Sequence, residues 1–188
     1  TTSGAGVGVA AAVPAIGTGA ALALSGAETV VFLEATALFA QSVAELLGPS
    51  VVNIGVSGTI DNFGGLGPFG PQEQQYSGEG SGVIYTSDGL IITNNHVVTD
   101  SVGDPVDNLE VTFTTGEKLP ATIVGTDPLT DLAVIKVQTD LELPAAVFQN
   151  AQPSVGEYAV AIGSPLGFEN SVTLGVVSGL ARSIEGVQ

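Results

Sequence analysis

The chain has 188 residues, 44% of them hydrophobic, and a formal net charge of −16 from 19 acidic and 3 basic side chains. This length and apolar content suit one ordinary domain, or a small two-lobed one, with a true core. The charge argues against nucleic acid as a partner, because such a chain repels phosphate backbones. Cysteine is absent and the acids are too scattered for metal-ligand spacing, so neither a metal site nor a cofactor is expected.

The first 27 residues form a leader rich in glycine and alanine. Residues 3–27 carry no charge over a length that could cross a bilayer. Pro14 and the many glycines nevertheless weaken both helix formation and transfer into a membrane. Two interpretations therefore stay open for residues 1–27: a membrane segment, or a flexible or weakly helical leader.

Residues 28–48 are predicted to form a helix, which Gly48 and Pro49 bring to an end. The prediction rests on positions spaced about one turn apart, which lie on one stripe of a helix. These positions are Val31, Ala35, Leu38, Ser42 and Leu46.

Beyond Pro49 the sequence has the pattern of β-strands, with short runs rich in Val, Ile and Thr between Gly, Asn and Asp. Asp88 and Gly89 in "TSDG" predict a tight turn between two such runs. Residues 61–80, rich in Gly, Pro and Gln, predict a mobile loop, which is more often regulatory or interactive than idle. The body of the chain is therefore expected to be all-β, of barrel or sandwich type.

His96 is the only histidine, and it follows the apolar run "LIITNN". Asp131 comes 35 positions later (131 − 96) and directly precedes the alternating strand "LAVIKV". An imidazole N–H donated to such a carboxylate would fix the tautomer and stabilise the imidazolium during proton transfer. Each residue also has a structural alternative, since His96 can be a bonded strand-end residue and Asp131 can cap its own turn.

Four blocks resemble, in order and spacing, the HtrA family of trypsin-like serine proteases across residues 46–188. They are "GPSVVNI", "GSGVIYTSDGLIITNNHVV", "TDPLTDLAVIKV" and "VGEYAVAIGSPLGFENSVTLGVVSGLAR". The resemblance implies a double β-barrel: a complete first barrel at 49–144, with a regulatory loop at 61–80, and part of a second at 145–188. It also implies that His96 and Asp131 are the catalytic histidine and aspartate.

The family's nucleophile lies in a Gly-Asn-Ser-Gly-Gly type of motif beyond "VSGLAR", and the sequence reaches only Gln188. The serines that could replace this nucleophile are Ser81, Ser164 and Ser178, but their surroundings indicate structural roles. Without a nucleophile and its oxyanion donors, these residues alone are expected to be inactive in peptide hydrolysis.

The resemblance implies the N-terminal part of a serine endopeptidase for extracytoplasmic protein quality control, periplasmic or at the cell surface. Its substrates would be unfolded or misfolded proteins, and homo-oligomers are common in the family. Residues 3–27 would be the membrane anchor if one exists. The alternative is a non-catalytic accessory or structural subunit, derived from a protease and held in a larger, membrane-bound assembly. A simple β-barrel binding module explains neither the His96 and Asp131 pair nor the four ordered blocks.

Overall fold

The computed structural model describes residues 9–11, 28–62, 72–100, 103–164 and 171–181, which form two groups of strands and two helices. In chain order the elements are β1 (Val9–Ala11), α1 (Glu28–Leu47), a 3-10 turn (Gly48–Ser50), β2 (Val51–Asn62), β3 (Gln72–Ile84), β4 (Leu90–Asn94), α2 (Asn95–Val98), β5 (Asn108–Thr112), β6 (Lys118–Asp127), β7 (Leu132–Val137), β8 (Tyr158–Gly163) and β9 (Ser171–Val176).

Six strands close into a barrel in the order β2-β3-β4-β7-β6-β5. All of its pairings are antiparallel. Burial alternates along β7, where Ala133, Ile135 and Val137 point inward. Closure gives every one of the six strands two neighbours, as in barrels that avoid exposed sheet edges. The prediction of an all-β fold with a complete first barrel is confirmed.

Aliphatic side chains fill this barrel. Ile54, Ile84, Ile91 and Ile135 are each 0% exposed and belong to one cluster. Full burial of such a side chain stabilises a fold by about 1.5–3 kcal/mol. The barrel wall is therefore a rigid support for side chains placed at the ends of its strands.

A second sheet has the order β1-β8-β9 and is packed against helix α1. Val43 of α1 and Val51 of β2 form a buried cluster with Val160 and Ile162 of β8. This cluster joins the helix, the start of the barrel and the second sheet. Within the described residues, β8 and β9 are the strands of the region predicted to begin a second barrel.

The stripe that predicted helix α1 is not its core-facing side where burial is described. Leu38 and Leu46, two members of that stripe, are 63% and 76% exposed. Phe39, Val43 and Leu47, shifted by one position, pack into the second cluster instead. Apolar residues occur on both sides of this helix, so helical spacing alone did not determine which side faces the protein.

The predicted loop at 61–80 was wrong over much of its length. β2 continues to Asn62, β3 begins at Gln72, and the two strands pair without a register shift from Val51↔Val83 to Asn62↔Gln72. Backbone hydrogen bonds hold an antiparallel hairpin together even where its side chains are polar. The remaining residues 63–71 lie outside the described residues, and a regulatory role for this segment stays a prediction.

Little of the leader is described. Residues 9–11 form β1, which pairs antiparallel with β8, and the rest of the stretch 1–27 lies outside the described residues. Among the helices that are described, none combines the length and apolar character needed to cross a membrane.

Candidate active site

Helix α2 fixes the position of His96. It follows β4 directly, and its Val97 and Val98 are buried in the barrel core, 8% and 0% exposed. Gly80 of β3 makes this packing feasible, because a Cβ atom there would lie 2.6 Å from both methyl carbons of Val97. A one-turn helix would be unstable alone, so its position depends on this packing. His96 lies on the exposed side of the turn.

Asp131 is placed by the turn between β6 and β7. It is the last turn residue before β7 and has a φ of 54°, a left-handed conformation that Asp and Asn adopt more readily than most residues. Its backbone carbonyl accepts a hydrogen bond from the N–H of Asn95 at 3.1 Å. The turn is thereby tied to the beginning of α2.

The structure brings the two predicted site residues into direct contact. His96 Nδ1 lies 2.7 Å from Asp131 Oδ2. The other carboxylate oxygen, Oδ1, accepts the backbone N–H of His96 at 3.0 Å. With the aspartate ionised, Nδ1 bears the proton and Nε2 is left as a proton acceptor. This two-point contact fixes both the position and the tautomer of the ring.

Asn94 is a further residue of the site that sequence reasoning missed. Its Nδ2 donates to Asp131 Oδ2 at 3.0 Å and to the Asp131 carbonyl at 3.1 Å. It therefore holds both the carboxylate and the backbone of the aspartate. The available signal was a carboxamide two residues before the histidine in "TNNH", at the end of an apolar strand.

The carboxylate of Asp131 is held in its charged form. Burial raises its pKa, but hydrogen bonds from the His96 N–H and ring, the charge of His96 and the Asn94 amide together outweigh burial. The pKa of Asp131 therefore lies below its ordinary value. The side chains of His96 and Asp131 are 45% and 41% exposed, which leaves the ring accessible from solvent.

The other candidate residues lie elsewhere. Ser81 and Ser164 are buried and hydrogen-bonded to each other, and Ser178 is exposed. In the part of the chain that the structure describes, no serine hydroxyl is hydrogen-bonded to the ring of His96. The same residues contain no group of three or more His, Cys, Asp or Glu side chains that could hold a metal ion.

Comparisons with known proteins identify a family of peptidases. A family model described as a trypsin-like peptidase domain matches residues 80–187, which include both His96 and Asp131. A probable periplasmic serine endoprotease, DegP-like, from Chlamydia pneumoniae is 45% identical over 105 residues, covering 55% of this chain and 20% of that protein. The putative serine protease HhoB of Synechocystis is 34% identical over 160 residues, covering 77% of this chain and 37% of that protein.

A solved structure is also similar. It is the HtrA-type protease AlgW with a decapeptide, with a TM-score of 0.68, 28% sequence identity, and coverage of 79% of this chain and 47% of that chain. The chain thus spans well under half the length of these two curated relatives. Because the family model covers more than half of the 188 residues, the chain belongs to the trypsin-like peptidase family, among its HtrA-type members.

Proposed function

We propose that the protein is an HtrA-like serine endopeptidase in which His96 is the general base and acid and Asp131 orients it. The single observation behind this proposal is the two-point contact of Asp131 with His96, at 2.7 Å to the ring and 3.0 Å to the backbone N–H. An aspartate that only capped its own turn would have no reason to hold a histidine ring in one tautomer.

The proposed chemistry is acyl transfer. Nε2 of His96 accepts the proton of a serine hydroxyl while the serine oxygen forms a bond to the carbonyl carbon of the substrate. The ionised Asp131 stabilises the resulting imidazolium, which then donates its proton to the leaving amine as the C–N bond breaks. Water repeats the sequence on the acyl-enzyme and releases the acid.

The names of the relatives support a location and proteins as substrates. Several are named periplasmic serine endoproteases, which supports an extracytoplasmic site of action for this protein. Unfolded or misfolded proteins are the proposed substrates, within extracytoplasmic protein quality control, and a homo-oligomer is the proposed assembly. Attachment to a membrane through residues 3–27 stays a prediction.

The test is an active-site serine probe and a peptide-hydrolysis assay on the complete protein. The wild type should be labelled by a fluorophosphonate at one serine. His96→Ala should lower kcat about 10⁶-fold, and Asp131→Asn about 10⁴-fold because it reverses the tautomer.

Asp127→Asn is the matched control. Asp127 is the last residue of β6, at the other end of the same turn, and its side chain accepts hydrogen bonds from Leu129 and Thr130 rather than from His96. The kcat of this variant should stay within about twofold of the wild type, since Asn keeps a side-chain oxygen that can accept a hydrogen bond within the turn and neither side chain contacts His96. An unlabelled wild type, with turnover unaffected by His96→Ala, would contradict the proposal and favour the accessory-subunit alternative.

A further inference from the structure

Most of the buried polar side chains in the described residues belong to one hydrogen-bonded path. The buried polar residues are Ser50, Asn53, Ser81, Thr93 and Ser164. The last four of these are linked to one another, and they span β2, β3, β4 and the end of β8. A buried polar group lowers stability unless it is hydrogen-bonded. The concentration of these groups in one path between the barrel and the second sheet therefore needs a physical reason.

Two side chains of the barrel are hydrogen-bonded to the backbone of Ser164, one at its carbonyl and one at its N–H. Nδ2 of Asn53 donates to the carbonyl of Ser164 at 2.9 Å. The N–H of Ser164 donates to Oγ of Ser81, also at 2.9 Å. We call these two contacts the clamp. Ser164 directly follows β8, so the clamp joins the end of that strand to β2 and β3 of the first barrel.

The path continues to the proposed catalytic residues. The hydroxyl of Thr93, which is 0% exposed, donates to the carbonyl of Ser81 at 2.8 Å. The next residue, Asn94, binds the Asp131 carboxylate. One connected set of short contacts therefore runs from the second sheet to the aspartate that orients His96.

Apolar packing alone would not define this geometry as closely. Val43, Val51, Val160 and Ile162 already hold the same elements together. Such contacts are non-directional and tolerate small sliding movements, whereas a hydrogen bond weakens steeply when its length or angle changes. The clamp can therefore fix the position of β8 along the barrel. Packing at the apolar cluster constrains that position less.

We propose that Asn53 and Ser81 are positioning residues of the peptidase. Their clamp on Ser164 holds the second sheet, β1-β8-β9, at its working distance from His96 and Asp131. This inference rests on the proposed function and on the double-barrel fold implied by the resemblance, in which the nucleophile motif follows β8 and β9 in the sequence. A displacement of about 1 Å in such a site can cost about 10²-fold in rate. Neither residue needs to touch the substrate.

The test compares Asn53→Ala and Ser81→Ala with the wild type in the complete protein. We measure kcat and KM for a peptide, the rate of fluorophosphonate labelling, and hydrogen exchange at the backbone amide of Ser164. Both variants should lower kcat and the labelling rate about 10–100-fold, with KM changed less than about threefold, because uniform binding is retained. Ser81→Ala should also speed exchange at the Ser164 amide.

Val160→Ala is the matched control, because it weakens the apolar cluster next to the clamp without removing either hydrogen bond. It should lower the melting temperature but leave kcat and the labelling rate within about twofold. The double variant Asn53→Ala with Ser81→Ala should be no slower than the poorer single variant by more than about twofold, since both residues act through one backbone group.

The outcomes separate the two proposals. A labelled wild type whose folded clamp variants are labelled equally fast would refute the positioning role alone. An unlabelled wild type would refute the proposed function and the positioning role with it. If Asn53→Ala and Ser81→Ala both failed to fold while Val160→Ala folded, the clamp would be a stabilising feature, and the positioning role would again be refuted.

Discussion

Asp131 makes more contacts with its neighbours than its position in a surface turn would suggest. Its carboxylate binds the ring and the backbone N–H of His96, and its carbonyl accepts from the N–H of Asn95. The amide of Asn94 binds both the carboxylate and the carbonyl. These contacts offset the cost of its left-handed backbone, a conformation that costs about 1–3 kcal/mol and persists only where the surroundings enforce it.

Asn94→Ala should therefore impair catalysis without preventing folding. It removes two hydrogen bonds to Asp131, one of them to a charged oxygen, and such a bond contributes about 1.5–3 kcal/mol. We expect kcat to fall about tenfold or more in peptide hydrolysis by the complete protein. Asn95→Ala is the control, since Asn95 contributes its backbone N–H to Asp131 and that group is retained. Equal activity of the two variants would show that the Asn94 side chain has no positioning role.

The lowered pKa of Asp131 predicts how the stability of the fold changes as pH falls. Hydrogen bonding lowers this pKa in the folded state despite burial. The carboxylate thus stabilises the fold fully above about pH 4, its unfolded range, and this contribution is lost as pH falls through the lower folded value. With the side chain 41% exposed, solvent screening limits the effect to about 1 kcal/mol.

The measurement is urea unfolding of the wild type and Asp131→Asn at pH 5 and pH 2. The wild type should be the more stable at pH 5, and the difference should shrink at pH 2. The pKa values of Asp88 and Asp127 are lowered as well, by the contact with Lys136 and by the Thr130 hydroxyl respectively. Both proteins share these carboxylates, so the difference between them isolates Asp131. A difference that is constant with pH would contradict the assignment.

Among the elements, those with strong local signals were predicted correctly. The alternation in β7 indicated a half-buried strand, and the structure shows that pattern. Asp88 and Gly89 predicted a tight turn, which is confirmed by a φ of 106° at Gly89 and its N–H bonded to the Thr86 carbonyl. In both cases the backbone and its immediate neighbours suffice to determine the structure.

Elements determined by distant partners were predicted poorly. The polar residues 72–75 gave no strand signal, and they are ordered by pairing with β2. The buried side of α1 is determined by its packing against β8, which is more than 100 residues away in sequence. Spacing alone likewise did not decide whether Asp131 caps its own turn or pairs with His96. Only the resemblance of the four blocks favoured the pairing that the structure contains.

The orientation of α1 can be tested with two neighbouring substitutions. Val43 is 6% exposed and belongs to the buried cluster, so Val43→Ala should destabilise the protein by about 2 kcal/mol. Leu46 is 76% exposed, and Leu46→Ala should change stability by less than about 0.5 kcal/mol although it removes more atoms. Urea unfolding of both variants measures the difference. If Leu46→Ala were the more harmful, the stripe that contains Leu46 would face the core, and the orientation of α1 described here would be wrong.

For the molecule as a whole, the negative net charge is too large to be neutralised by individual ion pairs. The sequence has 19 acidic and only 3 basic residues. In the described part of the chain, Lys118 pairs with Glu110 and Lys136 with Asp88, so each lysine is already engaged by one carboxylate. The remaining acids repel one another through solvent, which opposes the compact state and is screened by added salt.

Sodium chloride should therefore stabilise this protein. Between 10 mM and 0.3 M the screening length falls several-fold, and we expect the melting temperature to rise by about 2–4 °C. The control is the double variant Glu117→Lys with Glu142→Lys, at two exposed positions. Each change removes one negative charge and adds one positive charge, so the net charge moves from −16 to −12 (−16 + 4). Weaker repulsion should give the variant a higher melting temperature at 10 mM salt and a smaller rise with salt. Identical salt responses in calorimetry would show that general repulsion is not what limits the stability of the fold.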